Sequence, residues 1–158
     1  MCWHAVCAPL NAMAKRLEDL PVYSKAEDFC DAIDALLEKP AMRRNSDLRR
    51  QITRANDSIL ANMEEGFEQG SDRAFANYLT HSKGSVGEVM GRLKRARAKK
   101  LLSPADVEAR LVAGEELRKM LGGFIRYLHD TDWKDRGHHS DSEPPTRNKD
   151  SDEGLDEG

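Results

Sequence analysis

The chain has 158 residues and a mass of 17.8 kDa, enough for one domain with terminal extensions. Hydrophobic residues make up 39% and charged residues 34%, and no run approaches the ~20 apolar residues that cross a bilayer. A membrane-spanning protein is therefore excluded, and the few β-branched runs, with only 11 glycines and 6 prolines, argue against a β-sandwich or β-barrel.

The net charge of −3 hides an asymmetry along the chain. Residues 130–158 carry 10 acids and 4 bases, a net charge of −6, whereas residues 1–129 carry 21 bases and 18 acids, a net charge of +3. This balance weakly favours an anionic partner for the body of the protein. The acidic end can screen the same surface.

The N-terminal residues carry little structural signal. Three cysteines are too few for a disulfide framework and match a reducing cytoplasm: Cys2, Cys7 and Cys30. The start lacks the basic region of a signal peptide, and Met13 is an alternative translation start to Met1. We expect a cytoplasmic protein in which residues 1–19 form a flexible extension.

Two amphipathic helices come first, each with apolar residues spaced three and four apart. The first is predicted over about 21–38, with Asp19 as its N-cap and Pro40 preventing its continuation. The second is predicted over about 47–67, with Ser46 as its N-cap.

Gly66 and Gly70 are expected to mark the end of the second helix. The third helix, over about 72–100, has the most regular apolar seam in the chain: Phe75, Leu79, Ser82, Val86, Val89, Leu93 and Ala96. The fourth begins at Ser103-Pro104-Ala105-Asp106, a strong helix-start signal, and continues to about His129.

Short connections make consecutive helices antiparallel neighbours. The sequence therefore predicts an all-α fold, an antiparallel up-down-up-down four-helix bundle over residues 20–129. Beyond it, Asp, Ser, Gly and Pro dominate, and Leu155 is the only aliphatic residue after Trp133. Such a composition predicts a disordered acidic tail over residues 130–158.

The residues that would mark an enzyme or a metal site are missing from the sequence. No Glu stands three residues before a His, as a di-metal bundle requires, and no nucleophile or phosphate-loop motif is present. His138 and His139 lie in the predicted tail, where a solvated pair is favoured over a metal site. We expect no catalytic residue, no metal site and no cofactor.

Basic residues cluster where two predicted helices meet. The end of the third helix and the start of the second carry nine of them: Arg92, Lys94, Arg95, Arg97, Lys99 and Lys100, and Arg49, Arg50 and Arg54. Antiparallel packing places both groups at one end of the bundle, which suits binding of a phosphate backbone. The alternative is that these cations only complement a helix C-terminus and solvate the surface.

Three glycines share one side of the third helix, roughly opposite its apolar seam: Gly84, Gly87 and Gly91. Each costs ~1 kcal/mol relative to alanine in a helix interior. Three such residues on one face predict a close subunit contact, with functionally idle glycines as the alternative.

Four segments resemble one known family. They are Leu20-Pro-Val-Tyr-Ser-Lys-Ala26, Gln51-Ile-Thr-Arg-Ala-Asn-Asp-Ser-Ile59, Asn62-Met-Glu-Glu-Gly66, and Gly84-Ser85 with Glu88. In order and spacing they resemble the four-helix-bundle proteins encoded in intervening sequences of 23S ribosomal RNA genes. That group is similar to the accessory variability proteins of diversity-generating retroelements.

This resemblance covers about residues 20–128 and implies an antiparallel bundle that forms a ring-like homopentamer. It also implies a protein without established enzymatic activity and with a suspected role in binding nucleic acid. In the retroelement relatives, a basic pentamer engages RNA and a reverse transcriptase. The family's arginine and its Asn-x-x-Glu-Gly element correspond to Arg54 and to Asn62, Glu65 and Gly66. This chain departs from the pattern in its net acidic charge, and Met63 stands where isoleucine is usual.

Two functional hypotheses follow. The first is a non-enzymatic homo-oligomer that binds RNA or DNA through its basic end. In one version of this hypothesis, the protein is also the partner of a reverse transcriptase. The second is a protein-interaction scaffold that binds no nucleic acid. An uncharacterised enzyme is the third and least favoured.

Overall fold

A computed structural model describes residues 16–130, which are helical throughout apart from short connections and contain no β-strand. A 3₁₀ turn at Leu17–Asp19 precedes five helices: α1 Pro21–Leu37, α2 Pro40–Arg44, α3 Ser46–Glu68, α4 Asp72–Ala98 and α5 Pro104–Asp130. The four long helices end within two residues of their predicted bounds, and the predicted all-α class is confirmed. The expected flexible extension lies mostly, and the expected tail almost entirely, outside the described residues.

The four long helices form a ring in which α1 and α4 each pack against both α3 and α5. The Tyr23 hydroxyl donates to Glu64, near the start of α1 and the end of α3, while Arg49 donates to the Leu37 carbonyl at their other ends. Each helix is thus antiparallel to its two neighbours, as an up-down-up-down bundle requires.

The apolar stripes predicted from the sequence form the core. Five consecutive seam positions of α4 have no exposed surface: Leu79, Ser82, Val86, Val89 and Leu93. They meet equally buried residues of the other helices: Ile33, Ile52, Ile59, Met63, Leu117 and Leu121. Burial of these side chains provides the main driving force for folding.

Two polar side chains are buried among these apolar ones. The Asn56 amide donates to the Cys30 carbonyl at 3.1 Å and to Asp34 at 3.0 Å, which ties α3 to α1. The Ser82 hydroxyl donates to the Ile59 carbonyl at 2.8 Å, which ties α4 to α3. A register shift would leave these groups buried and unpaired, so both bonds help to set the helix register.

The N-cap predicted for α1 is wrong. Asp19 lies within the 3₁₀ turn and pairs with Arg16 at 3.0 Å. Leu20 occupies the cap position without a side-chain hydrogen bond, and Pro21 is the first helical residue. Since proline has no amide hydrogen, one of the groups that a cap would satisfy is absent.

The predicted cap of α3 is displaced by one residue. Asn45, not Ser46, is the N-cap, and its side-chain oxygen accepts from the Leu48 amide at 3.2 Å. At α5 the predicted cap is confirmed, because the Ser103 hydroxyl oxygen accepts from the Asp106 amide at 3.1 Å.

The short helix α2 has no counterpart in the prediction. Pro40 was expected only to prevent continuation of the first helix, but it is also the first residue of α2. Met42 at its centre is fully buried. A five-residue helix is too short to show an apolar period, so the pattern contained no signal for it.

Gly66 does not mark the end of α3, as was expected. It is buried inside the helix, where a Cβ atom would lie 2.5 Å from the Tyr78 Cβ atom of α4. The helix continues to Glu68, and Gly70 follows with a φ of +71° that suits glycine. Gly66 therefore permits the close approach of α3 and α4.

Replacing Gly66 with alanine should destabilise the protein by about 1–3 kcal/mol, because the new methyl group has to displace the α4 backbone. Urea denaturation measures this loss. Gly123→Ala is the matched control: a Cβ atom there meets nothing within 4 Å, so stability should be unchanged or raised by up to about 1 kcal/mol. Equal effects of the two substitutions would contradict the packing role of Gly66.

Candidate nucleic-acid interface

The antiparallel register brings the predicted basic residues together at one end of the bundle. Arg92 near the end of α4 donates to Gln51 near the start of α3, and Arg97 pairs with Glu108 at the start of α5. We define the basic end as residues 38–54 and 88–110, which together carry 13 bases and 5 acids, a net charge of +8.

Four of the nine predicted binding residues are paired with carboxylates of the same chain. These are Arg49 with Glu38 at 2.8 Å, Arg50 with Asp47 at 3.0 Å, Arg92 with Glu88 at 2.5 Å, and Arg97 with Glu108 at 3.7 Å. Their charges are partly neutralised within the bundle. These side chains therefore contribute to local structure as well as to the positive potential.

The other five predicted residues have no such neutralising partner. Arg54, Lys94, Arg95, Lys99 and Lys100 are exposed, and no carboxylate within residues 16–130 lies within 4.0 Å of their charged groups. We call these five residues the free cations. They can bind an anion without first breaking an ion pair of the described chain.

Helix α2 adds two arginines to this end that the predicted set did not include. Arg43 pairs with Glu38 at 2.9 Å, whereas Arg44 is exposed and has no carboxylate within 4.0 Å in the described part of the chain. Because Arg49 donates a hydrogen bond to Glu38 and Arg43 lies beside it, the pKa of Glu38 is lowered. The two arginines directly precede the second predicted helix. Their closeness to Arg49 in the sequence indicates that they belong to the same basic cluster.

The end of α4 gives two of the free cations an unusual setting. The helix ends at Ala98, and Lys100 has a φ of +58°, a conformation that glycine usually occupies at a helix end. The Leu101 amide then closes the turn by donating to the Ala96 carbonyl at 3.0 Å. Lys99 and Lys100 thus follow the negative end of the helix dipole, which stabilises their charges.

The predicted glycine face of α4 is open within the described chain. A Cβ atom built at Gly84 or at Gly91 meets nothing within 4 Å, and one at Gly87 meets only the Arg118 Nε atom, at 3.9 Å. No backbone of residues 16–130 therefore approaches this face. In the register set by Gly114 and Met90, Val112 of α5 lies level with Arg92, one residue beyond Gly91, and is 54% exposed.

Two stretches of α1 and α3 are acidic. We define the acidic half as residues 18–34 and 57–68, which carry 10 acids and 1 base, a net charge of −9. Asp31, Asp34 and Asp57 have no cation within 4.0 Å among residues 16–130. Partial burial raises the pKa of Asp34, and the neighbouring aspartates raise it further. Counted over all four long helices, the described residues outside the basic end carry 14 acids and 7 bases, a net charge of −7.

The described residues hold neither a metal-binding cluster nor a membrane span. No group of three or more His, Cys, Asp or Glu residues in this part of the chain is arranged to hold a metal ion. None of its helices combines the length and the apolar character needed to cross a membrane.

The residues of α3 that carry the family resemblance have different surroundings. Arg54 faces solvent at the basic end, and Gly66 contacts α4. Glu65 accepts a hydrogen bond from the Tyr78 hydroxyl at 2.8 Å. Asn62 is half-buried and donates to the Ser58 carbonyl one turn earlier at 2.6 Å.

The fold and the charged surface define a small antiparallel four-helix bundle with one strongly basic end. The model of the 23S rRNA-intervening sequence protein family matches residues 18–123, more than half of the chain. The chain belongs to this family.

A solved structure supports the same fold. It is the 1.70 Å crystal structure of a protein of unknown function from the S23 ribosomal protein family of Bacteroides thetaiotaomicron VPI-5482. The two chains share 22% identity, with a TM-score of 0.60, over 66% of this chain and 98% of the other. No curated protein matches the chain.

The hydrogen bond from Tyr23 of α1 to Glu64 of α3 leads to a prediction for the stability of the protein at alkaline pH. Burial of Tyr23, its hydrogen bond to Glu64 and the charges of nearby carboxylates raise its pKa from 10.0 to about 12. The pKa of Tyr23 is therefore higher in the folded protein than in the unfolded chain. The contribution of neutral Tyr23 to the stability of the fold is complete below pH 10 and is lost as the pH rises to about 12.

Tyr23→Phe should reduce stability at neutral pH by about 1 kcal/mol, since the hydrogen bond to Glu64 is lost. The variant should also lose stability less steeply between pH 10 and 12 than the wild type does. Urea denaturation at a series of pH values measures both effects. Tyr78→Phe is the comparison: the hydrogen bond to Glu65 also raises the pKa of Tyr78, but this side chain is more exposed, so both effects should be smaller. A pH dependence of Tyr23→Phe equal to that of the wild type would contradict the assignment.

Proposed function

We propose that the protein is a non-enzymatic, cytoplasmic homo-oligomer that binds RNA, or structured DNA, through its basic end. The five free cations carry this proposal. They lie on two stretches of chain, Arg54 on α3 and residues 94–100 at the end of α4, which the antiparallel packing of α3 and α4 brings to one end of the bundle. Each can neutralise a phosphate and release the counterions condensed on it, which is the main source of affinity in such complexes.

The arrangement suits a phosphate backbone better than a single small anion. Arg54 lies on the outward face of α3, while Lys99 and Lys100 lie beyond the end of α4, so the cations are spread over a surface rather than gathered in a pocket. Contacts of this kind position a nucleic acid without reading its bases. The acidic half repels phosphates and so restricts binding to the basic end.

The family supplies context for this proposal. The chain belongs to a family named for the intervening sequences of 23S ribosomal RNA. From the resemblance to accessory variability proteins, we also propose a homopentameric ring and a reverse transcriptase as a protein partner. An assembly of several copies would present several basic ends to one nucleic acid, which raises the overall affinity.

The glycine face of α4 supports the oligomer. Gly84 and Gly91 lack any neighbour that would require glycine within residues 16–130, although each is less favourable than alanine in a helix by ~1 kcal/mol. A second copy that packs closely against this face, together with Val112, would bury apolar surface and account for the small residues.

Charge reversal tests nucleic-acid binding. Arg95→Glu with Lys99→Glu should weaken binding of a labelled RNA hairpin by about tenfold or more, measured by fluorescence anisotropy in moderate salt. The matched control is Arg73→Glu with Arg126→Glu, which changes the net charge equally but lies towards the other end of the bundle. Similar losses in both variants, or no binding by the wild type, would contradict the proposal. In the latter case the scaffold hypothesis would replace it.

Light scattering tests the oligomer. A pentamer of 17.8 kDa chains has a mass of 89 kDa, five times the chain mass. Gly84→Leu with Gly91→Leu should lower the measured mass, because the larger side chains prevent close packing. The control is Ala35→Leu with Ala61→Leu on exposed faces of α1 and α3. A monomeric wild type, or an unchanged mass in the glycine variant, would contradict the proposed contact.

A further inference from the structure

We propose that the basic end also binds the acidic segment 150–157 of the same chain, which competes there with nucleic acid. This segment contains five acids and no base: Asp150, Asp152, Glu153, Asp156 and Glu157. The competition rests on the proposed function, whereas the contact between the segment and the basic end does not.

Charge favours this contact over any other on the described surface. Residue 130, from which the segment is tethered, ends α5, and α5 runs antiparallel to α1, with Glu116 paired to Lys25 at 3.7 Å. The tether therefore begins beside the acidic half, whose net charge of −9 repels the segment. The basic end, with a net charge of +8, attracts it.

The length of the tether matches the distance to be crossed. Asp106 lies at the basic end, bonded to Lys39 at 2.6 Å, and the 24 residues of α5 from Asp106 to Asp130 span ~36 Å at 1.5 Å per residue. A chain of 20 residues, the number from Asp130 to Asp150, can reach ~68 Å at full extension. A random coil of that length has a root-mean-square span of ~25 Å. The segment can thus contact the free cations at a high effective concentration.

The acids nearer to α5 reach the basic end less readily, because even a fully extended chain carries Asp141 only ~37 Å and Glu143 only ~44 Å from Asp130. Asp135 is five residues from Asp130 and reaches at most ~17 Å. The ten acids of residues 130–158 thus divide into five near the tether and five in the segment 150–157, with equal charge. The near group is Asp130, Asp132, Asp135, Asp141 and Glu143. This division provides a matched control within the full-length chain.

The test compares the wild type with two full-length variants, in which either the five distal or the five near acids become Asn or Gln. A carbodiimide, which joins a lysine amine to a carboxylate in direct contact, is applied in low salt, and the crosslinks are mapped by mass spectrometry. We expect crosslinks from Lys94, Lys99 or Lys100 to the segment 150–157 in the wild type and in the near variant. They should disappear in high salt.

The second readout is binding of the labelled RNA hairpin. The distal variant should bind about three- to tenfold more tightly than the near variant, because an intramolecular competitor has been removed at the same net charge. Equal affinities, or crosslinks from these lysines only to the near acids, would overturn the proposal. If the crosslinks form as expected but no variant binds RNA, the proposed function fails and the contact stands. If RNA binds and no crosslink forms, only the contact fails.

Discussion

Close antiparallel packing of α3 against α4 determines where the charges of this protein lie. Gly66 lets the two backbones approach at one end, and the Ser82 hydroxyl bonds to the Ile59 carbonyl in the middle of the pair. The register that results brings the start of α3 beside the end of α4, where Gln51 contacts Arg92. Cations that lie some forty residues apart in the sequence thereby share one surface.

Gathering like charges at one end costs stability through mutual repulsion. The structure offsets part of that cost with carboxylates inside the cluster: Glu38 lies between Arg43 and Arg49, and Asp106 beside Lys39. The free cations have no such offset within the described chain. An anion from outside would supply it, so the same feature that opposes folding favours binding of a polyanion.

The helices were predictable because their apolar stripes are regular, and the shared basic end followed from antiparallel connections alone. The pairing of the cations was not predictable, since Glu38 and Arg49 come from different helices and only the packed register joins them. Gly66 was misjudged for a related reason: a glycine near a helix end is ordinarily a terminator, and its contact with Tyr78 depends on α4. The glycine face could be predicted as a small-residue surface, but no backbone within residues 16–130 covers it, so the subunit contact stays a prediction.

Salt dependence of RNA binding tests the central claim most directly, because it counts the phosphates that the protein neutralises. For single-stranded RNA, the logarithm of the association constant falls with the logarithm of salt concentration by about 0.7 for each phosphate that is neutralised. The five free cations therefore predict a slope of about −3.5. A slope near zero would show that these cations do not contact phosphate and would contradict the account.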